Sequence, residues 1–255
     1  MYDLIVCGVF KNESHILDEW IQHYLSRGFQ HIYLVNDFSK DDYKSIINKY
    51  KETVTLYEND IITKDVGKQI QIYNKFFGPI IRNARWVGIF DLDEFVYSPT
   101  NHSILDVLES FKDAAEVKID WLHFGSNGHI QQPKSVIEGF TRRAAYSRAC
   151  PWYSHKCFFR PDKLQAFNIH FQHVNGPSHH LYYSETEPKM LVINHYSTQS
   201  REFYLQVKAT RGDINNWFDH NNLQRNLQRF IDSDINDIED TRLVEQNRRL
   251  KCSPV

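Results

Sequence analysis

The chain alternates between apolar runs of strand length and amphipathic stretches of helical spacing. Residues 4–10 (Leu-Ile-Val-Cys-Gly-Val-Phe) are continuously apolar, as in a strand buried on both faces. Asn12 then stands where it can cap a helix, with Glu13 in the first turn. Ile16, Leu17, Trp20, Ile21, Tyr24 and Leu25 recur at helical spacing until Gly28 stops the pattern. Residues 31–35 read as a second strand closed by Asn36-Asp37, 41–50 as a helix and 54–57 as a third strand. Residues 67–82 read as another helix, and 86–90 as a fourth strand running directly into Asp91-Leu92-Asp93-Glu94. This β-α-β-α-β-α-β order predicts an α/β fold with a parallel, doubly wound sheet.

The rest is less regular. Residues 103–111 read as a helix and 115–119 as a strand leading into Asp120-Trp121. Residues 125–154 are loop-rich, with short strands expected at 156–159, 167–171 and 190–194. Helices are expected at 200–211 and 222–231, and a charged helix of mixed sign at 239–251, read as a solvated face. The length of 255 residues suits one large domain. Its expected parts are a regular α/β half over 1–97, an irregular half over 98–215 and terminal helices over 216–255.

Open parallel sheets bind ligands beyond the carboxyl ends of their strands. Three polar clusters fall there: Lys11-Asn12-Glu13, Asn36-Asp37 and Asp91-Leu92-Asp93. Two carboxylates at i and i+2 can converge on one cation where a strand turns into a loop, and Mg²⁺ and Mn²⁺ favour such oxygen ligands. An isolated D-x-D is more often a solvated strand end, and its place after strand four favours the ion. Asp37 can accept from a base N–H and Glu13 from a ribose hydroxyl, although both, like Ser39, also suit plain capping or turns. His195 ends an apolar run and can complete a metal site or be a hydrogen-bonded core histidine. Lys208 and Arg211, one helical turn apart, can clamp phosphates or be surface charge.

Composition narrows the reading. Lys plus Arg is 30 against 32 for Asp plus Glu, a net charge of -2, which removes the bulk electrostatic drive toward nucleic acid. The 4 cysteines form no C-x-x-C pair. The aromatic share of 14% suits an aromatic core, aromatic clefts, or both. No apolar run approaches the ~20 residues of a membrane helix, and the N-terminus has no basic leader. The expectation is a soluble chain, cytoplasmic or peripherally membrane-associated. G-x-S-x-G, G-x-x-x-x-G-K-[ST], H-E-x-x-H and, after the first strand, G-x-G-x-x-G are all missing.

Asn12-Glu13, Asn36-Asp37-Phe38-Ser39 and Phe90-Asp91-Leu92-Asp93-Glu94-Phe95, each after its strand, resemble the GT-A glycosyltransferase layout. Glu19-Trp20, Trp121-x-x-Phe124-Gly125-Ser126, Asn194-His195-Tyr196 and Lys208-x-x-Arg211-Gly212 narrow the resemblance to the glycosyltransferase family 2 and family 92 group, over residues 4 to 212. The resemblance implies inverting transfer of a sugar from a nucleotide sugar, commonly a UDP-sugar, to a glycan hydroxyl, with Mn²⁺ or Mg²⁺ on the diphosphate. Asp93 would ligate the metal, Asp91 contact metal or ribose, and His195 serve as third ligand. Asn12, Glu13, Asp37, Ser39 and Lys68 would belong to the nucleotide side, and Lys208 and Arg211 to the diphosphate. The general base would be Asp120, or alternatively Glu138. Trp121, Phe124, Gly125 and Trp152 would face the acceptor. A nucleotidyltransferase using the same metal, or a non-catalytic carbohydrate-binding protein on a decayed transferase fold, are the rival readings.

Overall fold

The computed structural model describes residues 1–63, 67–146, 155–187, 190–210 and 222–252. The first elements are β1 (Tyr2–Phe10), α1 (Ser14–Ser26), β2 (His31–Asn36), α2 (Tyr43–Ile47), β3 (Val54–Glu58), α3 (Lys68–Ile72) and β4 (Ala84–Ile89). Next come β5 (Glu94–Tyr97), α4 (Ile104–Ser110), β6 (Glu116–His123), α5 (Val136–Gly139), β7 (Arg142–Arg143) and β8 (His155–Phe159). The remainder is β9 (Leu164–Ala166), β10 (His173–Val174), β11 (Ser178–Leu181), β12 (Val192–His195), α6 (Arg201–Phe203), α7 (Leu223–Ser233), β13 (Ile238–Glu239) and α8 (Arg242–Cys252).

The main sheet has the order β3-β2-β1-β4-β8-β6-β12-β5, with β11 also paired to β6. β3, β2, β1 and β4 run parallel, as the alternating pattern predicts. β8 is antiparallel to both β4 and β6, and β5 is antiparallel to β12, so the sheet is mixed beyond β4. β6 carries two parallel partners on one edge: β11 along Glu116–Ile119 and β12 along Trp121–His123. Strands from both halves of the chain therefore join one sheet. This is a Rossmann-like α/β architecture consistent with a GT-A fold.

The continuous apolar strands follow from burial of both sheet faces. Leu4, Val6, Trp20, Tyr24, Trp86, Phe90 and Phe95 pack on the α1 side. Ile5, Cys7, Ile72, Tyr73, Phe77, Val87 and Ile89 pack on the other. Gly88 permits this packing, because a Cβ there would stand 2.2 Å from the Phe90 ring and 2.8 Å from that of Phe158.

Several local expectations change. Asn12 is not the cap of α1: the helix starts at Ser14, Glu13 occupies the cap position, and the Ser14 amide donates to Asp41 Oδ2 at 2.7 Å. Asn12 adopts φ 53, a left-handed conformation that asparagine tolerates. The helix expected over 67–82 breaks into α3, a wider π turn over Tyr73–Phe77 and a 3-10 turn over Ile81–Asn83. The 200–211 helix likewise passes from α6 into a π turn at Tyr204–Lys208. Residues 167–171 form no strand. There Gln172 donates to the Asn168 carbonyl and its own amide donates to Glu116 Oε1, replacing ladder bonds with side-chain ones. β5 and β11 were not expected, the first hidden behind the acidic run and the second too polar to read as a strand.

Candidate active site

β4 ends at Ile89 and the chain turns through Asp91-Leu92-Asp93 into β5. The turn is held from within and from α1. Glu94 donates its amide to the Asp91 carbonyl at 3.0 Å, and the Asp91 amide donates to Glu94 Oε2 at 3.1 Å. Trp20 Nε1 donates to the same Asp91 carbonyl at 3.1 Å, and the Tyr24 hydroxyl to the Glu94 carbonyl at 3.0 Å. The Tyr196 amide donates to the Asp93 carbonyl at 2.8 Å, which ties the end of β12 to the turn.

This fixes three carboxylates in different roles. Asp93 faces His195 Nε2 at 3.4 Å and Lys208 Nζ at 3.2 Å. Lys208 also donates to the Ser197 carbonyl at 2.6 Å. Asp91 instead pairs with Lys156 Nζ at 2.9 Å, and Lys156 stands 3.4 Å from Glu94 Oε2. Burial works to discharge Lys156, yet the charges of Asp91 and Glu94 outweigh it and hold the ammonium well above its usual range. Burial pushes the Glu94 carboxyl well up; Lys156 opposes this, and Asp91 and Asp93 reinforce it.

Aromatic and imidazole rings close over the acidic turn. The Trp121 ring lies 4.3 Å from His195, 5.6 Å from His123 and 5.4 Å from His170, centroid to centroid. Burial, and then nearby His195, lowers His123 to about 3, so its imidazole is neutral at physiological pH. His170 is lowered to about 4 by burial and then by Lys156.

The residues fit a divalent cation. Asp93, Glu94 and His195 offer ligand atoms that all lie within 4.8 Å of one another. Glu94 Oε1, His195 Nδ1, His123 Nε2 and Trp121 Nε1 are buried with no hydrogen-bond partner among the described residues. Buried polar atoms are ordinarily satisfied, so such a cluster points to a polar ligand. Two carboxylates and one imidazole suit Mn²⁺, and Mg²⁺ less closely. The expected set of Asp91, Asp93 and His195 is thus brought together only in part: Glu94, and not Asp91, joins Asp93 and His195 in the group of ligand atoms within 4.8 Å.

The nucleotide-side residues form a second group. Asp37 is buried and accepts from Lys68 Nζ at 2.6 and 2.9 Å and from Asn59 Nδ2 at 2.7 Å. Lys68 also lies over the Phe38 ring, 5.5 Å from its centroid. Ser39 Oγ accepts from the Asn12 amide at 2.9 Å, and Asn12 Oδ1 from the Lys40 amide at 2.8 Å. Glu13 is buried at the start of α1. Asn12, Ser14, His15 and Lys40 line one wall of a cleft of ≈ 570 Å³, and Phe203 and Val207, from the segment that carries Lys208, line the other.

The acceptor residues fare unevenly. Trp121 belongs to the ring cluster just described. Phe124 is a core side chain, packed 4.8 Å from the Tyr196 ring and 1% exposed, which leaves it no face for a sugar. Gly125 lies against the 235–236 turn, where a Cβ would meet Asn236 Oδ1 at 2.4 Å and the Ile235 carbonyl at 2.6 Å. Close approach, not acceptor contact, accounts for that glycine. Trp152 and Arg211 lie outside the described residues.

Asp120, expected as the base, serves three hydrogen-bond donors. It accepts from His180 Nε2 at 2.7 Å, the Tyr146 hydroxyl at 2.5 Å and the Tyr183 amide at 2.8 Å. Burial raises its carboxyl, but these hydrogen bonds outweigh burial and bring it below the usual range. Alternation along β6 puts Asp120 and Trp121 on opposite faces. Glu138 sits in the first turn of α5, its amide donating to Ser135 Oγ at 2.9 Å.

Sequence reasoning missed Lys156 and His123, and set His170 aside as one of a histidine group, with His173, His179 and His180, that shows no metal-ligand spacing. Lys156 had a usable signal, a single cation opening the apolar run Cys157-Phe158-Phe159. His123 stands two residues beyond Trp121 on the same strand, where alternation gives both one face. His170 had no signal, because a bent segment and not a strand places it.

The chain matches the family described as glycosyltransferase family 92 over residues 2–244. A family 92 protein of Oryza sativa subsp. japonica is 26% identical over 211 residues, covering 80% of this chain and 34% of the relative. One of Arabidopsis thaliana is 26% identical over 231 residues, covering 81% and 38%. The chain spans about a third of the length of the curated relatives it matches, 34% to 38%. Among solved structures, mannose-1-phosphate geranyltransferase from Thermus thermophilus covers 64% of this chain and 58% of its own, at 10% identity and a TM-score of 0.36, too loose a likeness to carry an argument.

Proposed function

The chain belongs to glycosyltransferase family 92, and from that membership we propose that it transfers a sugar from a nucleotide-sugar donor, a UDP-sugar first, to a hydroxyl of a glycan acceptor, with inversion at the anomeric carbon. The observation that carries the reading is the Asp93–Glu94–His195 cluster beyond the carboxyl end of β4, with Lys208 beside it. A strand end of this kind is where open α/β sheets bind nucleotides.

Asp93, Glu94 and His195 would hold Mn²⁺ or Mg²⁺. When bound, such an ion neutralises charge gathering on the leaving diphosphate. Lys208, released from Asp93, adds a point charge on the same side. Lys156 keeps Asp91 and Glu94 from repelling each other and fixes the turn that presents Asp93. Trp121, with its neighbouring imidazoles, forms one wall and keeps water from the reacting carbon. Inversion also needs a base in reach of the acceptor hydroxyl. We do not assign that role to Asp120, whose oxygens are taken by three donors; its part is to hold the sheet.

Calorimetry of UDP, GDP and their sugars with and without Mn²⁺ tests the reading. Ion-dependent binding of a nucleotide sugar, with release of free nucleoside diphosphate on turnover, is expected. Release of pyrophosphate instead would move the protein to nucleotidyl transfer. No ion-dependent binding of any nucleotide would overturn the proposal.

A further inference from the structure

A second group of ligating side chains lies on β6, away from the acidic turn. Asp120 is paired in register with His155 of β8, so the two share one face of the sheet. On the other edge of β6, His180 of β11 is in register with Lys118, two residues from Asp120 and again on that face. The three side chains thus come from three adjacent strands, with the carboxylate in the middle.

Their chemistry is that of a cation site. One atom from each of Asp120, His155 and His180 lies within 4.8 Å of the others. The rings of His155 and His180 are 5.0 Å apart. His155 Nε2 is buried with no hydrogen-bond partner among the described residues. Asp120 is oriented from behind: the Tyr146 hydroxyl and the Tyr183 amide both donate to Oδ2, while among the described residues Oδ1 accepts from His180 alone. Partners that fix the far oxygen of a ligating carboxylate are a regular part of metal sites.

We propose that Asp120, His155 and His180 bind a divalent transition-metal ion of the Zn²⁺ class, distinct from the ion expected at Asp93. Two imidazoles and a carboxylate favour Zn²⁺, Co²⁺ or Ni²⁺ over Mg²⁺. His180 Nε2 and Asp120 Oδ1 stand 2.7 Å apart because they share a proton. Bonds of about 2.0–2.1 Å at tetrahedral angles need ligands roughly 3.3 Å apart, so the ion takes the place of that proton, the neutral imidazole carries its N–H on Nδ1 instead, and the two groups move apart by about half an ångström. The bound ion pins β8, β6 and β11 together, and because only the folded chain assembles the site it stabilises the fold.

The test uses protein stripped with EDTA and carrying Asp93→Ala and His195→Ala, so that the turn binds no ion. Titration with Co²⁺ is expected to give the visible absorption of a low-symmetry site at about one equivalent per chain, and Zn²⁺ to raise Tm. Adding His155→Gln or His180→Gln should weaken Co²⁺ binding by at least ~10-fold. Gln at 180 keeps a donor for Asp120, and circular dichroism checks the fold. No Co²⁺ band, or a band unchanged by both Gln variants, would overturn the proposal. Should the double background fail to fold, Zn²⁺ equivalents are counted on the wild-type chain and on His155→Gln. A loss of one equivalent supports the site, and equal counts refute it.

Discussion

Lys156 is 1% exposed, yet its ammonium reaches the far more open carboxylate of Asp91 at 2.9 Å. The lysine enters from the first residues of β8 and crosses beneath the turn, with fully buried Glu94 at 3.4 Å on its other side. One cation thus holds together a turn that presents a third carboxylate to His195 and Lys208. Lys156→Met would leave Glu94 buried without its counter-charge, and breaking a buried pair costs about 3–5 kcal/mol. Urea unfolding is expected to show a loss of that order, with Glu94→Gln restoring part of it in the double variant. An unchanged midpoint would remove Lys156 from this role.

Asp93, on the same turn, faces His195 and Lys208 at its rim. Asp93→Ala is expected to keep the circular dichroism spectrum and to weaken Mn²⁺-dependent UDP-sugar binding by more than about tenfold, roughly 1.4 kcal/mol. Calorimetry decides the matter, and donor binding equal to wild type would refute the assignment.

Asp120→Asn should behave differently. The amide cannot accept from all three donors that the carboxylate serves, and an unmet buried donor costs about 1–3 kcal/mol. The expected result is a lower thermal midpoint with donor affinity unchanged. A fall in turnover with an unaltered midpoint would return Asp120 to the reaction.

His23 sets a pH dependence. Its Nε2 bonds the Val96 carbonyl at 2.8 Å, and its ring meets the Phe95 ring edge to face. Burial first, and then Arg27, hold it well below its usual range, so the folded state keeps it neutral. An unfolded histidine gains its proton near pH 6.5. Below that pH the unfolded chain binds more protons, so this contribution is complete above about 6.5 and fades as pH falls, by at most about 1.4 kcal/mol per pH unit. Urea midpoints at pH 7.5 and 5.5 should differ in that sense, and His23→Gln should reduce the difference. A slope unchanged by the substitution would exclude His23 as its source.

The nucleotide half was legible because its strands are buried on both faces and so read as unbroken apolar runs. Leu4–Phe10 and Trp86–Phe90 announced β1 and β4, and the ends of those runs placed the acidic turn. Asp93 and His195 were harder to pair, since they stand 102 positions apart and meet only because β5, which begins just after Asp93, runs edge to edge with β12, which ends at His195. Lys156 was obscured because β8 is antiparallel: its beginning, not its end, lies near the turn, which inverts the rule that looks beyond carboxyl ends. β11 escaped notice because Ser178-His179-His180-Leu181 offers no apolar alternation, its polar groups being turned to Glu116 and Asp120. Phe124 and Gly125 show the reverse error, a motif string that marks tight packing and not ligand contact.

The contact between Lys208 and Asp93 has a consequence for how the site changes hands. An ammonium already stands beside the carboxylate that a divalent ion would use, 3.2 Å away. An ion bound there as proposed would substitute one positive tenant for another, and Asp93 would not be left facing His195 uncompensated. Lys208 belongs to the short helical segment whose Val207 lines the cleft, so under the proposed exchange the displaced ammonium would stay on the segment that borders it, available to an anionic donor.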